Sequence, residues 1–190
     1  MTPLVPTLYL IRHATPDWSR TDIPYDIPPG PPLTLQGEEE AMQLGGFLRE
    51  AGVKQIYASP LVRAWHTAQI AATLASAPLQ QEDNLAEWRN KEEVSSIRAR
   101  FWPTWEQASA LSQQVGPIAL ITHGGPIAFL LEELGLPTEV IEQHKRQFDR
   151  RNPLPPAGVW RATRPNSHLT WDLSLVFAPD KNRKPTLFYV

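Results

Sequence analysis

A chain of 190 residues, 42% hydrophobic and 20% charged, is long enough to bury a substantial core as one domain spanning 1–190. Its formal net charge of -2 gives no general pull towards nucleic acid or acidic lipid, so any anion-binding function must come from a local cluster of cations. The absence of cysteine excludes disulfides, thiolate metal sites and cysteine nucleophiles.

Leu8 to Ile11 has the length and apolar composition of a buried strand, and it runs straight into Arg12-His13. Residues 16–33 follow as a proline-rich loop, too stiff and too poor in donors for helix or central strand. Thr34 reads as the cap of a helix with glutamates in its first turn, apolar at Ala41, Leu44, Phe47, Leu48 and Ala51, and closed by Gly52. Gln55 to Ala58 reads as a short strand, Ser59-Pro60 as the cap and first residue of a helix reaching about Ala75, and 79–85 as another short strand. The stretch 88–105 shows no clear period over most of its length and is taken as a second loop insertion. Trp105 to Val115 reads as helix, closed by Gly116-Pro117. The cleanest strand, Ile118 to Thr122, runs into His123-Gly124, with a helix expected from Ile127 to Leu134 and a charged amphipathic helix over 138–148. Val159 to Thr163 and Thr170 to Phe177 read as a closing strand pair. Strands alternating with helices predict an α/β fold: a three-layer sandwich with a mainly parallel central sheet and helices on both faces.

In a parallel sheet the carboxyl ends of strands share one edge, where α/β proteins bind ligands. Arg12-His13, Ser59-Pro60 with the nearby Arg63, and His123-Gly124 all sit at such ends. Two arginines, two histidines and helix N-termini on one edge form a trap for a dianion. Histidine adds a ring nitrogen able to attack or to carry protons near neutral pH.

These segments resemble the sequence blocks of the histidine phosphatase superfamily, the phosphoglycerate mutase-like proteins. Leu10-Ile-Arg-His-Ala-Thr15 is similar to the Arg-His-Gly signature, Leu33-Thr34-Leu-Gln-Gly37 to the second block, Ala58 to Ala68 (with Arg63) to the third, and Leu120-Ile-Thr-His-Gly124 to the block of the second histidine. The resemblance implies that His13 is a nucleophile forming a phosphohistidine. It implies that Arg12, Arg63, His123 and Gly124 hold the phosphoryl oxygens, and that no metal or other cofactor is required. It also implies an acid for the leaving oxygen. Leu85-Ala-Glu87 matches the family's Leu-x-Glu pattern, so Glu87 is the candidate, with Asp83, Glu92 and Glu93 as competitors.

Ala14 stands where the family usually has glycine, Thr15 comes one position early, and Ser19 replaces a common asparagine. Thr15, Ser19 and Trp18 are candidate substrate contacts, and Trp18 and Trp88 flank the site segments. The other tryptophans read as core. His66 reads as a helix-packing or surface residue, His144 as solvated and His168 as exposed. The scattered histidines lack metal-ligand spacing. The expected activity is hydrolysis of small phosphomonoesters. The alternatives are mutase-type phosphoryl transfer, phosphoprotein dephosphorylation, or a non-catalytic protein of the same fold that binds phosphorylated ligands. No basic segment leads into a long apolar run at the N-terminus, so a cytoplasmic protein without membrane or nucleic-acid partners is expected.

Overall fold

The computed structural model describes residues 4–148, 152–165 and 170–180. In chain order the elements are β1 (Thr7–Arg12), α1 (Leu35–Glu50), β2 (Gln55–Ala58), α2 (Val62–Ala75), β3 (Leu79–Gln81), a 3₁₀ turn (Asp83–Leu85), α3 (Val94–Val115), β4 (Ile118–Thr122), α4 (Gly124–Glu133), α5 (Thr138–Gln147), β5 (Val159–Thr163) and β6 (Asp172–Phe177). The six-stranded sheet has the order β3-β2-β4-β1-β5-β6. β3, β2, β4 and β1 run parallel, and β5 and β6 add an antiparallel pair beside β1.

Strand alternation explains the three layers. Leu8, Leu10, Ile118 and Leu120 point to one face, where Ile97, Phe101 and Trp105 of α3, Ile127 and Leu130 of α4 and Ile141 of α5 cover them. Tyr9, Ile11, Ala119 and Ile121 point to the other, against Ala41, Leu44 and Leu48 of α1 and Ala64, Ala68 and Ala71 of α2. A central parallel strand buried on both faces has no polar side, which is why these segments read as continuous apolar runs. The small residues of α2 let α1 come close to it: a Cβ on Gly45 would meet Ala71 O at 3.0 Å.

Thr34 caps α1 as expected, its hydroxyl accepting from Gly37 N at 3.0 Å. Several other boundaries differ from expectation. The stretch 88–105 is loop only to Glu93, after which α3 runs for 22 residues with Pro103 inside it. Proline interrupts the backbone ladder there, but Phe101 and Trp105 on either side of it are buried, so packing keeps the helix continuous. The segment 79–85 is strand only to Gln81, because it then turns into the 3₁₀ element. Ser59 does not cap α2: the helix begins at Val62, and the serine hydroxyl has a partner elsewhere. Among the described residues no helix is long and apolar enough to cross a membrane.

Candidate active site

The register of the sheet brings the three strand ends together. Arg12 pairs with Thr122, and Ala58 with Ile121, at the carboxyl edge. The pairing continues one step past the strands, with His13 N donating to Thr122 O (2.9 Å) and Ser59 N to Ile121 O (2.9 Å). His13, Ser59 and His123 therefore leave the sheet side by side, and the His13 and His123 ring centroids lie 5.2 Å apart. Arg63, second residue of α2, joins them; Arg12, His13, Arg63 and His123 are all buried.

His13 is held as a neutral ring. Burial lowers its pKa well below 6.5, and the Arg63 and Arg12 guanidiniums push in the same direction. Nδ1 donates to the carbonyl of Ala14 at 2.7 Å, which keeps the proton there and leaves the lone pair on Nε2. Ala14 itself is buried, its N–H donating to Thr67 Oγ1 (3.0 Å), and it is not among the positive-φ residues, so the side chain in place of glycine adds no backbone strain. Arg12 Nη1 donates to Leu154 O (3.1 Å), anchoring that guanidinium from the β5 side.

The carboxylate facing this cluster is Glu87. Its Oε2 accepts from Arg63 Nη2 at 3.3 Å and lies 3.6 Å from His123 Nδ1, while Oε1 accepts from Trp88 N at 3.0 Å. Burial raises the Glu87 pKa above 4.5, and the pull of Arg63 only partly offsets it. The competitors stand apart from this cluster. Glu92 is bound by Arg100, Asp83 accepts from Gln81 at an exposed position, and Glu93 is an exposed residue at the start of α3.

Arg100, on α3, holds the segment that carries Glu87. Nη1 donates to Asn84 O (2.6 Å) and Ala86 O (2.8 Å), and Nη2 donates to Glu87 O (3.1 Å). Nε and Nη2 grip the two Glu92 oxygens at 2.7 and 3.0 Å. Thr122 Oγ1 donates to Leu85 O (2.6 Å), tying the same segment to the end of β4.

Two site residues escaped the sequence reading. The Ser59 hydroxyl lies 2.8 Å from His123 Nε2. With that hydroxyl donating, the neutral imidazole carries its proton on Nδ1, the atom turned towards Glu87. Burial, reinforced by Arg63 and His13, holds the His123 pKa well below 6.5. The second is Tyr25, from the proline-rich loop. Its hydroxyl is 3.2 Å from His13 Nε2, its carbonyl accepts from Arg63 Nη1 (2.7 Å), and its ring centroid lies 3.8 Å from the Arg63 guanidinium carbon. Serine at a strand end was a visible signal for the first; nothing local marks Tyr25 among the prolines.

The expected substrate contacts are redistributed. Thr15 gives its N–H and its hydroxyl to Glu40 (2.8 and 2.9 Å), so it braces the start of α1 rather than presenting a free hydroxyl. Ser19 donates its hydroxyl to Asp17 at 2.6 Å on the exposed outer loop. Trp18 is 57% exposed and stacks on Tyr25 with centroids 4.8 Å apart. Gly124 opens α4 directly after His123, and a Cβ there would fall 1.4 Å from Asn152 Oδ1, so only glycine permits that approach. Trp88 is tied to structure, Nε1 donating to Glu92 O (2.8 Å) and its ring edge-on to Phe129. His66 is half-buried on α2. His144 is not solvated as expected: it is half-buried against Phe148 and Trp160, because α5 folds back onto β5. His168 lies outside the described residues. Among the described residues no three His, Cys, Asp or Glu side chains are grouped to hold a metal ion.

A buried histidine, two buried arginines and a facing carboxylate thus gather on one edge of the α/β sheet, an arrangement chemically suited to an anion. Residues 8–92, just under half of the chain, match the family described as the histidine phosphatase superfamily (branch 1). The probable phosphoglycerate mutase GpmB of Salmonella arizonae is 32% identical over 80 residues; the match covers 42% of this chain and only 37% of that protein's length. A phosphoglycerate mutase structure from Bacillus anthracis superposes with a TM-score of 0.70 at 16% identity, covering 92% of this chain and 94% of that one. A mycobacterial glucosyl-3-phosphoglycerate phosphatase gives 0.68 at 19% identity, covering 89% and 97%. At these identities the structural likeness establishes the fold.

Proposed function

We propose that the protein hydrolyses small phosphomonoesters through a phosphohistidine on His13. The observation that carries this reading is the fixed tautomer of His13: Nδ1 is tied to the Ala14 carbonyl, and the Nε2 lone pair faces the same space as Arg63, His123 and Glu87. In the first half-reaction Nε2 attacks phosphorus, the P–N bond forms and the P–O bond to the leaving group breaks. Glu87, whose burial favours the protonated form, gives its proton to the departing oxygen. In the second half-reaction the Glu87 carboxylate takes a proton from water, the resulting hydroxide oxygen bonds to phosphorus, and the P–N bond breaks. His13 regains its lone pair, Glu87 its proton, and inorganic phosphate departs. Arg12, Arg63 and the His123 Nδ1–H stabilise the charge on the non-bridging oxygens throughout.

Incubation with 4-nitrophenyl phosphate tests this directly. Wild-type protein should release nitrophenol, His13→Ala should lose activity by roughly 10⁴-fold or more, and an alkaline quench should preserve an acid-labile phosphoryl group on His13. Absence of hydrolysis by the wild type, or unchanged hydrolysis by the variant, refutes the mechanism. The mutase named among its relatives supports a second reading, in which the phosphoryl group returns to the substrate. Isomerisation of 3-phosphoglycerate in the presence of 2,3-bisphosphoglycerate would establish it in place of hydrolysis.

A further inference from the structure

The five groups of the site are closed off from solvent. Arg12, His13, Arg63 and His123 have exposures of 0–3%, and the Glu87 side chain 12%. Tyr25 covers two of them, His13 and Arg63. Because His13 Nδ1 is the donor to Ala14 O, the contact at Nε2 must run the other way: Tyr25 O–H donates to the nucleophile's lone pair at 3.2 Å. A phosphorus atom about to be attacked stands about 3–3.5 Å from its nucleophile. The phenol oxygen therefore occupies the position that phosphorus must take, and it uses the electron pair that must attack.

The rest of the residue is equally engaged. One face of the Tyr25 ring covers the Arg63 guanidinium, and the other face stacks on Trp18. The loop after Tyr25 is pinned, with Asn90 N donating to the half-buried Asp26 carboxylate (3.1 Å) and Val62 N to Pro29 O (2.8 Å). Nothing in these contacts buries the outer end of the arrangement, since Trp18 remains largely in water.

We propose that Tyr25 is a displaceable stopper of the active site, bound at the nucleophile until a phosphoryl group takes its position. This rests on the reading of the site as a phosphatase centre. Closure by Tyr25 competes with every ligand of the site, so the apparent affinity for a phosphoryl group is reduced by the fraction of molecules that are open. An ester whose leaving group adds contacts at the mouth can offset that competition. Inorganic phosphate, which has no leaving group, cannot. The stopper thus weakens the hold of the site on any phosphoryl group, free phosphate included.

The test is binding of inorganic phosphate by calorimetry to wild type, Tyr25→Phe and Tyr25→Ala, each first shown to be folded by its thermal transition. Tyr25→Phe removes only the O–H bond to Nε2 and should tighten phosphate binding about fivefold, the effect of one net hydrogen bond. Tyr25→Ala also removes the ring from Arg63 and should tighten it further. The inhibition constant of phosphate against nitrophenyl phosphate hydrolysis should fall in the same order. Equal phosphate affinity in all three proteins overturns the stopper and leaves the phosphatase reading standing. Weaker binding in both variants also overturns it, and makes the phenol a phosphate ligand instead. No phosphate binding by any of the three overturns the stopper and the phosphatase reading together.

Discussion

The two sides of the candidate site are built differently. The phosphoryl side rests on the ends of β1, β2 and β4, where ladder hydrogen bonds fix His13, Ser59 and His123 relative to one another to within a strand register. The leaving-group side is made of loops: Tyr25 from 16–33, and Glu87 from a segment held by Arg100 and Thr122. A rigid edge suits a group common to every substrate, the phosphoryl. Loops stapled by side chains suit the part that differs from one substrate to the next.

If this division is right, substitutions on the two sides should differ in kind as well as in size. Arg63→Ala, on the rigid edge, should lower kcat/KM by about 10²–10³-fold. That loss should be similar for alkyl and aryl phosphates, since Arg63 acts on oxygens present in both; a loss below about tenfold would remove Arg63 from the phosphoryl group. Glu87→Gln, on the loop side, should cost up to about 10²–10³-fold for alkyl phosphates with poor leaving groups. With nitrophenyl phosphate, whose phenolate needs no proton, the loss should be small. Equal losses on both substrates would show that another group is the acid.

Arg100→Ala should reproduce the Glu87 pattern more weakly, about tenfold on alkyl phosphates, because it displaces the acid without removing it. Arg100→Lys, which cannot span the same carbonyls and carboxylate with a planar fork, should recover only part of that loss. A uniform loss across leaving groups would mean that Arg100 supports the fold alone. The smallest expected effect is on stability against pH. His13 and His123 are both held below 6.5 in the folded chain, so the unfolded chain binds protons that the native one refuses. Their stabilisation is complete above pH 6.5 and declines as the pH falls below it, by up to about 1.4 kcal/mol per pH unit for each ring. Glu87 acts in the opposite sense, its raised pKa contributing stability below 4.5 that is lost as the pH rises through its folded value. The thermal midpoint should therefore drop between pH 6.5 and 5.5, and His13→Gln should flatten that slope. An unchanged slope in the variant would mean that the buried ring is not the group that titrates.

Much of the rigid edge was legible in the linear chain. Apolar runs ending in Arg12-His13 and in Thr122-His123 announce strands that deliver polar side chains to one edge, and Arg63 follows from the helix after β2. Glu87 was legible only through resemblance to a family pattern, since an isolated glutamate after a short apolar segment has no local mark. The beginning of α3 was hidden because Pro103 breaks the helical signal that packing of Phe101 and Trp105 restores.

By itself the sequence determined which segments become strands, where those strands end, and hence the chemical character of the edge: these depend on periodicity and on residues within a few positions of one another. Only the tertiary structure decided what the edge residues touch. Ser59 meets His123 across 64 positions, Arg63 meets Tyr25 across 38, and Asn152 reaches back to Gly124 from the segment before β5. Each depends on how separate elements pack in three dimensions, and local propensity carries no record of that. For that reason His13 could be placed at the sheet edge from the end of a strand, while the phenol beside it emerged only with the loop folded over the site.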